Sequence, residues 1–136
     1  MDADEDHVAL QYLQEKGDIK GTRKNTRMQK LAYVYEGVEQ EAPRSEQIRL
    51  VNPKYFGGLY EGSKGVEQFW REIYHYISAT YDLNCVKHIY INGDGASWIK
   101  SGCKWIGEST FVLDKFHMQK YIIAASSHLL DSAGDD

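Results

Sequence analysis

The stretch VKHIYINGDGASWIK, residues 86–100, changes character in its middle. VKHIYIN carries apolar residues on both faces at its end, as expected of a strand covered by helices on both sides. Ala96 to Lys100, with Trp98 and Ile99, reads as a short helix. At the joint stands Asp94, between Gly93 and Gly95. In open α/β sheets ligands bind just beyond the carboxyl ends of the strands. Glycines at such a place let the backbone turn sharply and let a ligand or ion approach with no Cβ in the way. The pattern has a plainer reading as well: Asp-Gly is a common turn, and an aspartate can simply cap the helix starting at Ala96. On either reading a strand leads directly into a helix, and the expected class is α/β.

The flanking segments fill in the order of elements. VALQYL (8–13) alternates as a strand, and the same alternation continued backwards through ADEDHV makes the acidic run part of it. MQKLAYVYEG (28–37) reads as a second strand, with Leu31, Tyr33 and Tyr35 on one face and Ala32 and Val34 on the other. IRLV (48–51), after a connection holding Pro43, is the expected third strand, and NPKYFGGLYEGSKG (52–65) reads as a glycine-rich loop. Ser63 then precedes Val66, Phe69, Trp70, Ile73, Ile77 and Tyr81, whose spacing of three or four predicts an amphipathic helix to about Asp82. Downstream, STFVLD (109–114) is a strand. KFHMQKYIIAASSHLL (115–130) is a helix with Phe116, Met118, Tyr121, Ile122, Ala125 and Leu129 on one side, before the polar tail 131–136. The expected architecture is one domain over residues 1–136: a three-strand antiparallel meander followed by helix-strand-helix-strand-helix.

With 136 residues, 42% hydrophobic and 26% charged, the composition is that of a globular domain. Nothing approaches the ~20 apolar residues of a membrane helix, and MDADEDHV is acidic where a signal peptide is basic and then apolar. The expectation is a cytoplasmic location with no membrane. Cys85 and Cys103 lie far apart with no CxxC pair and read as plain thiols. The net charge of −4 argues against bulk electrostatic DNA binding. One basic run stands apart: Lys16, Lys20, Arg23, Lys24, Arg27 and Lys30, opposed only by Asp18. It reads either as a solvated hairpin loop or, through Lys20, Arg23, Lys24 and Arg27, as a loop contacting a DNA backbone.

Carboxylates carry the candidate chemistry. Asp2, Asp4, Glu5 and Asp6 crowd the first strand, where their repulsion calls for compensation, and a divalent cation supplies it. A solvated acidic terminus is the plainer reading. Mg²⁺ and Mn²⁺ prefer oxygen ligands from a few carboxylates plus substrate phosphates, and two such ions ~3.5–4 Å apart support phosphodiester transfer. Asp114, at the end of the next strand, is a further candidate ligand or an ordinary helix cap. His117 is a candidate for contacting a phosphate or orienting a carboxylate, or a packed histidine. His7, His75, His88 and His128 form no metal-ligand spacing, and no nucleophile motif or P-loop is present.

DADEDHVALQ (2–11), YINGDGASWIK (90–100) and FVLDKFHMQKYI (111–122) resemble the catalytic region of bacterial insertion-sequence transposases of the ISLre type, relatives of the Mutator-like transposases. The resemblance runs over nearly the whole chain. It implies an RNase H-like core with a DDE-type acidic triad that binds Mg²⁺, with Mn²⁺ as a substitute, and cuts and rejoins DNA at transposon ends. Carried over residue by residue, the first acid falls on Asp4, the second on Asp94 and the histidine on His117, with Asp114 where relatives often have a cysteine. The third acid, a glutamate, has no counterpart, because no glutamate follows Glu108. The resemblance therefore implies a transposase fragment, incomplete at both ends and inactive alone. Two other readings stand beside it. One is a small self-contained RNase H-like nuclease using Asp4, Asp94 and Asp114 or Asp131. The other is a remnant or interaction module that pairs with a full-length transposase, or with itself, through an exposed first strand.

Overall fold

Four carboxylates in a short run are poor strand formers, yet β1 (Asp2–Ala9) is a strand in the computed structural model, which describes residues 1–9 and 26–133. Its partner explains this. β2 (Thr26–Val34) runs antiparallel to it, and the register sets Asp2 against Tyr33, Asp4 against Leu31 and Asp6 against Gln29, so no acid faces another across the ladder. Glu5 stands opposite Lys30, a favourable cross-strand pair. Residues 10–13 of the expected first strand, and Lys16, Lys20, Arg23 and Lys24, lie outside the described residues.

The chain continues through β3 (Gly37–Gln40), β4 (Ile48–Val51), β5 (Lys54–Gly58), α1 (Gly62–Thr80), β6 (Ile89–Gly93), α2 (Ser97–Lys100), α3 (Gly102–Trp105), β7 (Ser109–Leu113) and α4 (Lys115–Ala133). The main sheet has the order β5-β2-β1-β6-β7. β2 is antiparallel to β1 and β5, while β6 is parallel to β1 and β7. The fold is thus α/β with a mixed sheet. No helix among the described residues is long and apolar enough to cross a membrane.

Two strand assignments change. Ile48–Val51 is a strand, but it pairs with Gly37–Gln40 in a separate hairpin, braced by the Arg49–Glu39 ion pair at 2.7 Å. The third strand of the main sheet is instead Lys54–Gly58, inside the segment that reads as a glycine-rich loop. Its glycines serve packing. Gly57 lies opposite Leu31, and a Cβ there would come within 2.9 Å of Leu31 Cδ2. Phe56, next along, meets the Tyr76 ring edge-on at 5.5 Å and ties β5 to α1.

The α1 stripe forms the core as its spacing predicts. Phe69, Trp70, Ile73 and Ile77 are buried against Ala3, Ala32, Val34, Ile91, Ile99 and Ile106. Trp70 Nε1 donates to the Trp98 carbonyl at 2.9 Å, so the one polar atom of that buried indole is satisfied. Lys30, only 2% exposed, also points to this side. It donates to the Tyr60 carbonyl and lies 5.4 Å from the Trp98 ring centroid. Burial lowers its pKa, against the opposing pull of the Glu5 and Glu61 charges.

Among the described residues only one face of the sheet is covered in this way. Ile91 and Gly93 are buried towards α1, whereas Tyr90, on the opposite face of β6, is 56% exposed. The expected double coverage of β6 is therefore not found among the described residues. The α4 side chains expected in a core stripe, Phe116, Met118, Tyr121, Ile122 and Ala125, are exposed, and Phe116 reaches 70%. At ~100° per residue Phe116 and Ile123 fall on one side of the helix and Met118, Tyr121, Ile122 and Ala125 on the other, so this apolar surface is too widely spread for one face to bury it. Nor is β1 an exposed edge, since β2 and β6 flank it.

Candidate functional site

Parity along β1 decides which acids share a surface. Met1 and Ala3 are buried towards α1, and Glu5 accepts a 2.6 Å hydrogen bond from Trp98 Nε1 on the same side. The alternation of a strand then sends Asp2 and Asp4 to the open face. Asp2 is level with Asn92 of β6 in the parallel register, and Asp94 directly follows Gly93, the last residue of that strand. Adjacent strands lie ~4.8 Å apart. The Asp114 N–H donates to the Gly93 carbonyl at 2.9 Å, which brings the end of β7 alongside. Asp94 and Asp114 directly follow Gly93 and Leu113, the paired last residues of β6 and β7, and with Asp4, Asp2, Asn92, Tyr33, Tyr35, Tyr55 and His117 they line a cleft of about 960 Å³.

Each acid makes local bonds. Asp4 Oδ1 accepts the Glu5 N–H at 2.8 Å, and Asp94 Oδ1 accepts the Ala96 N–H at 2.9 Å. The turn reading of Asp94 therefore holds, alongside its position in the cleft. Asp114 uses both oxygens on His117, Oδ1 on the backbone N–H at 2.9 Å and Oδ2 on ring Nδ1 at 2.7 Å. It caps α4 and orients the imidazole at once. Burial pushes the Asp114 carboxyl up, but the bonds from the His117 backbone and ring, the His117 charge and the Phe116 N–H outweigh it and hold it below the usual range. Among the described residues no group of three His, Cys, Asp or Glu side chains converges closely enough to hold a metal ion.

Asp2, Asp4 and Asp6 now differ. Asp2 Oδ1 accepts from Asn92 Nδ2 at 2.6 Å and from the Tyr35 hydroxyl at 3.1 Å, which makes it a tie between β2 and β6. Burial first, and then a hydrogen bond to Asp2, push the Tyr33 phenol up. Asp6 does not line the cleft, and Asp4 does.

The two glycines beside Asp94 have separate roles. Gly95, at φ +94°, makes the turn. Gly93 faces the core, where a Cβ would lie 2.8 Å from Ile99 Cγ2 and 3.1 Å from the Ala3 carbonyl. Its bare Cα admits Ile99, which corrects the expectation that it opens a path for a ligand.

Other expected positions fall outside the cleft. Arg27 is exposed and pairs with Glu61 at 2.6 Å, and Lys30 is buried on the opposite face. Lys20, Arg23 and Lys24 are outside the described residues. Asp131 is on α4, and at 1.5 Å per residue it stands roughly 25 Å along the helix from Asp114. That separation removes it from a shared site. Sequence reading missed Tyr33, Tyr35, Tyr55 and Asn92 as cleft residues. The odd-numbered tyrosine face of β2 was the available signal, but only the strand register joins it to the acids.

Residues 1–130 match the model of an uncharacterised protein family, UPF0236. Over 127 residues the chain is 39% identical to a UPF0236 protein of Caldanaerobacter subterraneus subsp. tengcongensis whose name joins eleven locus designations, from TTE0033 to TTE2212. It is 40% identical over 127 residues to a second UPF0236 protein of that organism, whose name joins TTE0610, TTE0881, TTE1053 and TTE2432, and to a third, TTE0402. These matches cover 93% of this chain but 24%, 24% and 22% of the three relatives, so the chain spans about a quarter of their length. No solved structure matches it.

Proposed function

We propose a function for a chain that belongs to the uncharacterised protein family UPF0236: it carries part of the catalytic centre of a DDE-type transposase, on an RNase H-like core. One observation carries the reading. Asp4 of β1 and Asp94, which directly follows the adjacent parallel strand β6, line one cleft with His117. Two further observations support it. The main sheet follows the order that an RNase H-like core calls for, three antiparallel strands, a helix, a strand, short helices, a strand and a helix, with the β3–β4 hairpin inserted. In addition, a relative whose single name spans eleven scattered loci fits an element that copies itself around a genome.

The donors suit Mg²⁺ or Mn²⁺. Asp4 and Asp94 offer carboxylate oxygens, and each has one oxygen engaged by a neighbouring backbone N–H. When bound, such a cation supplies Lewis-acid stabilisation to a phosphodiester undergoing in-line attack. The chain's own contribution is positional. Gly93 and Ile99 fix the Asp94 turn against β1, and Asp114 holds the His117 ring through Nδ1, which leaves Nε2 for a phosphate oxygen. Asp114 is thereby an orienting residue rather than a ligand. The activity assigned to residues 1–136 is cation and phosphate binding, as their part of a centre for DNA cleavage and strand transfer at transposon ends.

The test is an amide NMR titration with trace Mn²⁺. Broadening centred on Asp4 and on Gly93 to Gly95, lost in both Asp4→Asn and Asp94→Asn, is the expected result. Dispersed spectra with no selective broadening refute the metal site.

A further inference from the structure

On the open face, beside the acids, three tyrosine rings form a row. Tyr33 and Tyr35 stack with centroids 5.8 Å apart and planes 26° apart, and Tyr33 meets Tyr55 of the neighbouring strand at 5.9 Å and 40°. Hydrogen bonding to Asp2 anchors the inner end of the row through the Tyr35 hydroxyl. The outer end is open, since Tyr55 sits on edge strand β5 and is 67% exposed. All three rings line the cleft that holds Asp4 and Asp94.

We propose that Tyr35, Tyr33 and Tyr55 form a stacking platform for an unpaired base of single-stranded DNA whose backbone phosphate lies at Asp4 and Asp94. The occupant follows from three features taken together. A flat aromatic face takes any base without reading its edge. The row is pre-ordered, because Asp2 holds Tyr35 and Tyr33 is wedged between two rings, so stacking on Tyr55 orders one side chain rather than three. The spacing also fits a nucleic-acid strand. Tyr55 lies two strand widths from β1, ~10 Å, and three nucleotides of a stacked strand at ~3.4 Å each cover that distance. The proposal rests on the phosphate-binding reading of the carboxylates, and it adds the substrate form: a single-stranded segment whose base, about three nucleotides from the bound phosphate, stacks on the platform.

The experiment uses the 136-residue chain with pentathymidylate carrying 2-aminopurine at its centre, in Mg²⁺, with fluorescence quenching as the readout. The same oligonucleotide with an abasic centre serves as a competitor. Quenching with wild type is expected, together with affinity weakened roughly tenfold or more by Tyr55→Leu and restored by Tyr55→Phe. The abasic oligonucleotide should bind wild type no better than the 2-aminopurine oligonucleotide binds Tyr55→Leu. Tyr55 is two-thirds exposed, so neither substitution disturbs the core. Equal quenching and affinity in Tyr55→Leu, or no binding by wild type, overturns the platform. The Mn²⁺ titration separates the two proposals. Selective broadening without base-dependent quenching refutes the platform alone, and quenching that depends on Tyr55 without broadening supports the platform and refutes the metal site.

Discussion

Replacing Gly93 with alanine tests whether the fold, rather than a ligand, demands that glycine. The added Cβ would lie 2.8 Å and 3.0 Å from the Cγ2 and Cδ1 methyls of Ile99 and 3.1 Å from the Ala3 carbonyl oxygen. Carbon–carbon contacts are optimal at ~3.5–4.0 Å, so the methyls must retreat by ~0.5–1 Å. Ile99 has no accessible surface and Ala3 belongs to the backbone of the central strand, so neither yields easily. Overpacking of this kind costs ~1–3 kcal/mol, and with backbone on one side the upper half of that range is expected. For a domain of this size that lowers Tm by about 6–15 °C. Urea unfolding followed by tryptophan fluorescence and circular dichroism measures it. Ile99→Ala alone should cost ~2–5 kcal/mol. In that background Gly93→Ala should cost little, because the new methyl enters the space that Ile99 vacates, giving a coupling of ~1–2 kcal/mol. A Gly93→Ala protein within ~0.5 kcal/mol of wild type, or one whose cost adds independently to that of Ile99→Ala, refutes the packing argument. Unchanged stability with lost Mn²⁺ broadening would return Gly93 to the role of admitting a ligand.

Two titration predictions follow from the hydrogen bonds. Asp114 has a folded-state pKa below its unfolded value, so its stabilisation is complete above the unfolded pKa of ~3.9 and disappears as pH falls through the lowered folded value. Asp114→Ala should cost ~1 kcal/mol at pH 7 as a lost cap, with a difference from wild type that shrinks in acid, read by amide exchange at the start of α4. Tyr60 donates to Glu72 at 2.6 Å, and that bond first, then burial and the Glu72 charge, push its phenol up to about 12. A raised folded pKa means that this stabilisation is present below the unfolded value of ~10 and lost as pH rises through the folded one. Phenolate absorbance near 295 nm should therefore show a late-titrating tyrosine that moves earlier in Glu72→Gln, and an unchanged titration curve refutes the assignment.

Local periodicity was legible in the sequence, and long-range pairing was not. The spacing of Phe69, Trp70, Ile73 and Ile77 announces both a helix and its buried face, because a 3.6-residue repeat is written in consecutive residues. IRLV reads correctly as a strand, but its partner, Gly37–Gln40, is chosen by hairpin geometry that alternation does not encode. KYFGG was hidden because its glycines mimic a loop, while their role depends on Leu31, 26 positions earlier and on another strand. Apolar residues in α4 suggested a core face, yet the described ones are exposed, since composition names what favours burial and not what covers it. At the site, Asp94 was legible as the joint between strand and helix. The resemblance put the first acid on Asp4; both Asp2 and Asp4 line the cleft, and what the sequence did not show is that Asp2 is tied by hydrogen bonds to Asn92 and Tyr35.

That register has a physical guard on the far side of the sheet. A one-residue slip of β1 would turn Ala3 and Glu5 to the open face and drive Asp2 and Asp4 against the buried cluster of α1 and α2. Glu5 would then leave Trp98 Nε1, its 2.6 Å donor, and Lys30, 2% exposed, would face the shorter Asp4 or Asp6 in place of Glu5. Leaving a buried donor such as Trp98 Nε1 unpaired costs ~1–3 kcal/mol, a sizeable part of the ~5–15 kcal/mol that holds a typical domain together. The polar group of Glu5, Lys30 and Trp98 therefore fixes the parity of β1. Parity in turn sends Asp2 and Asp4, rather than Ala3 and Glu5, to the open face and the cleft. A core-facing hydrogen bond with no contact to the cleft thus selects which face of β1 the cleft meets.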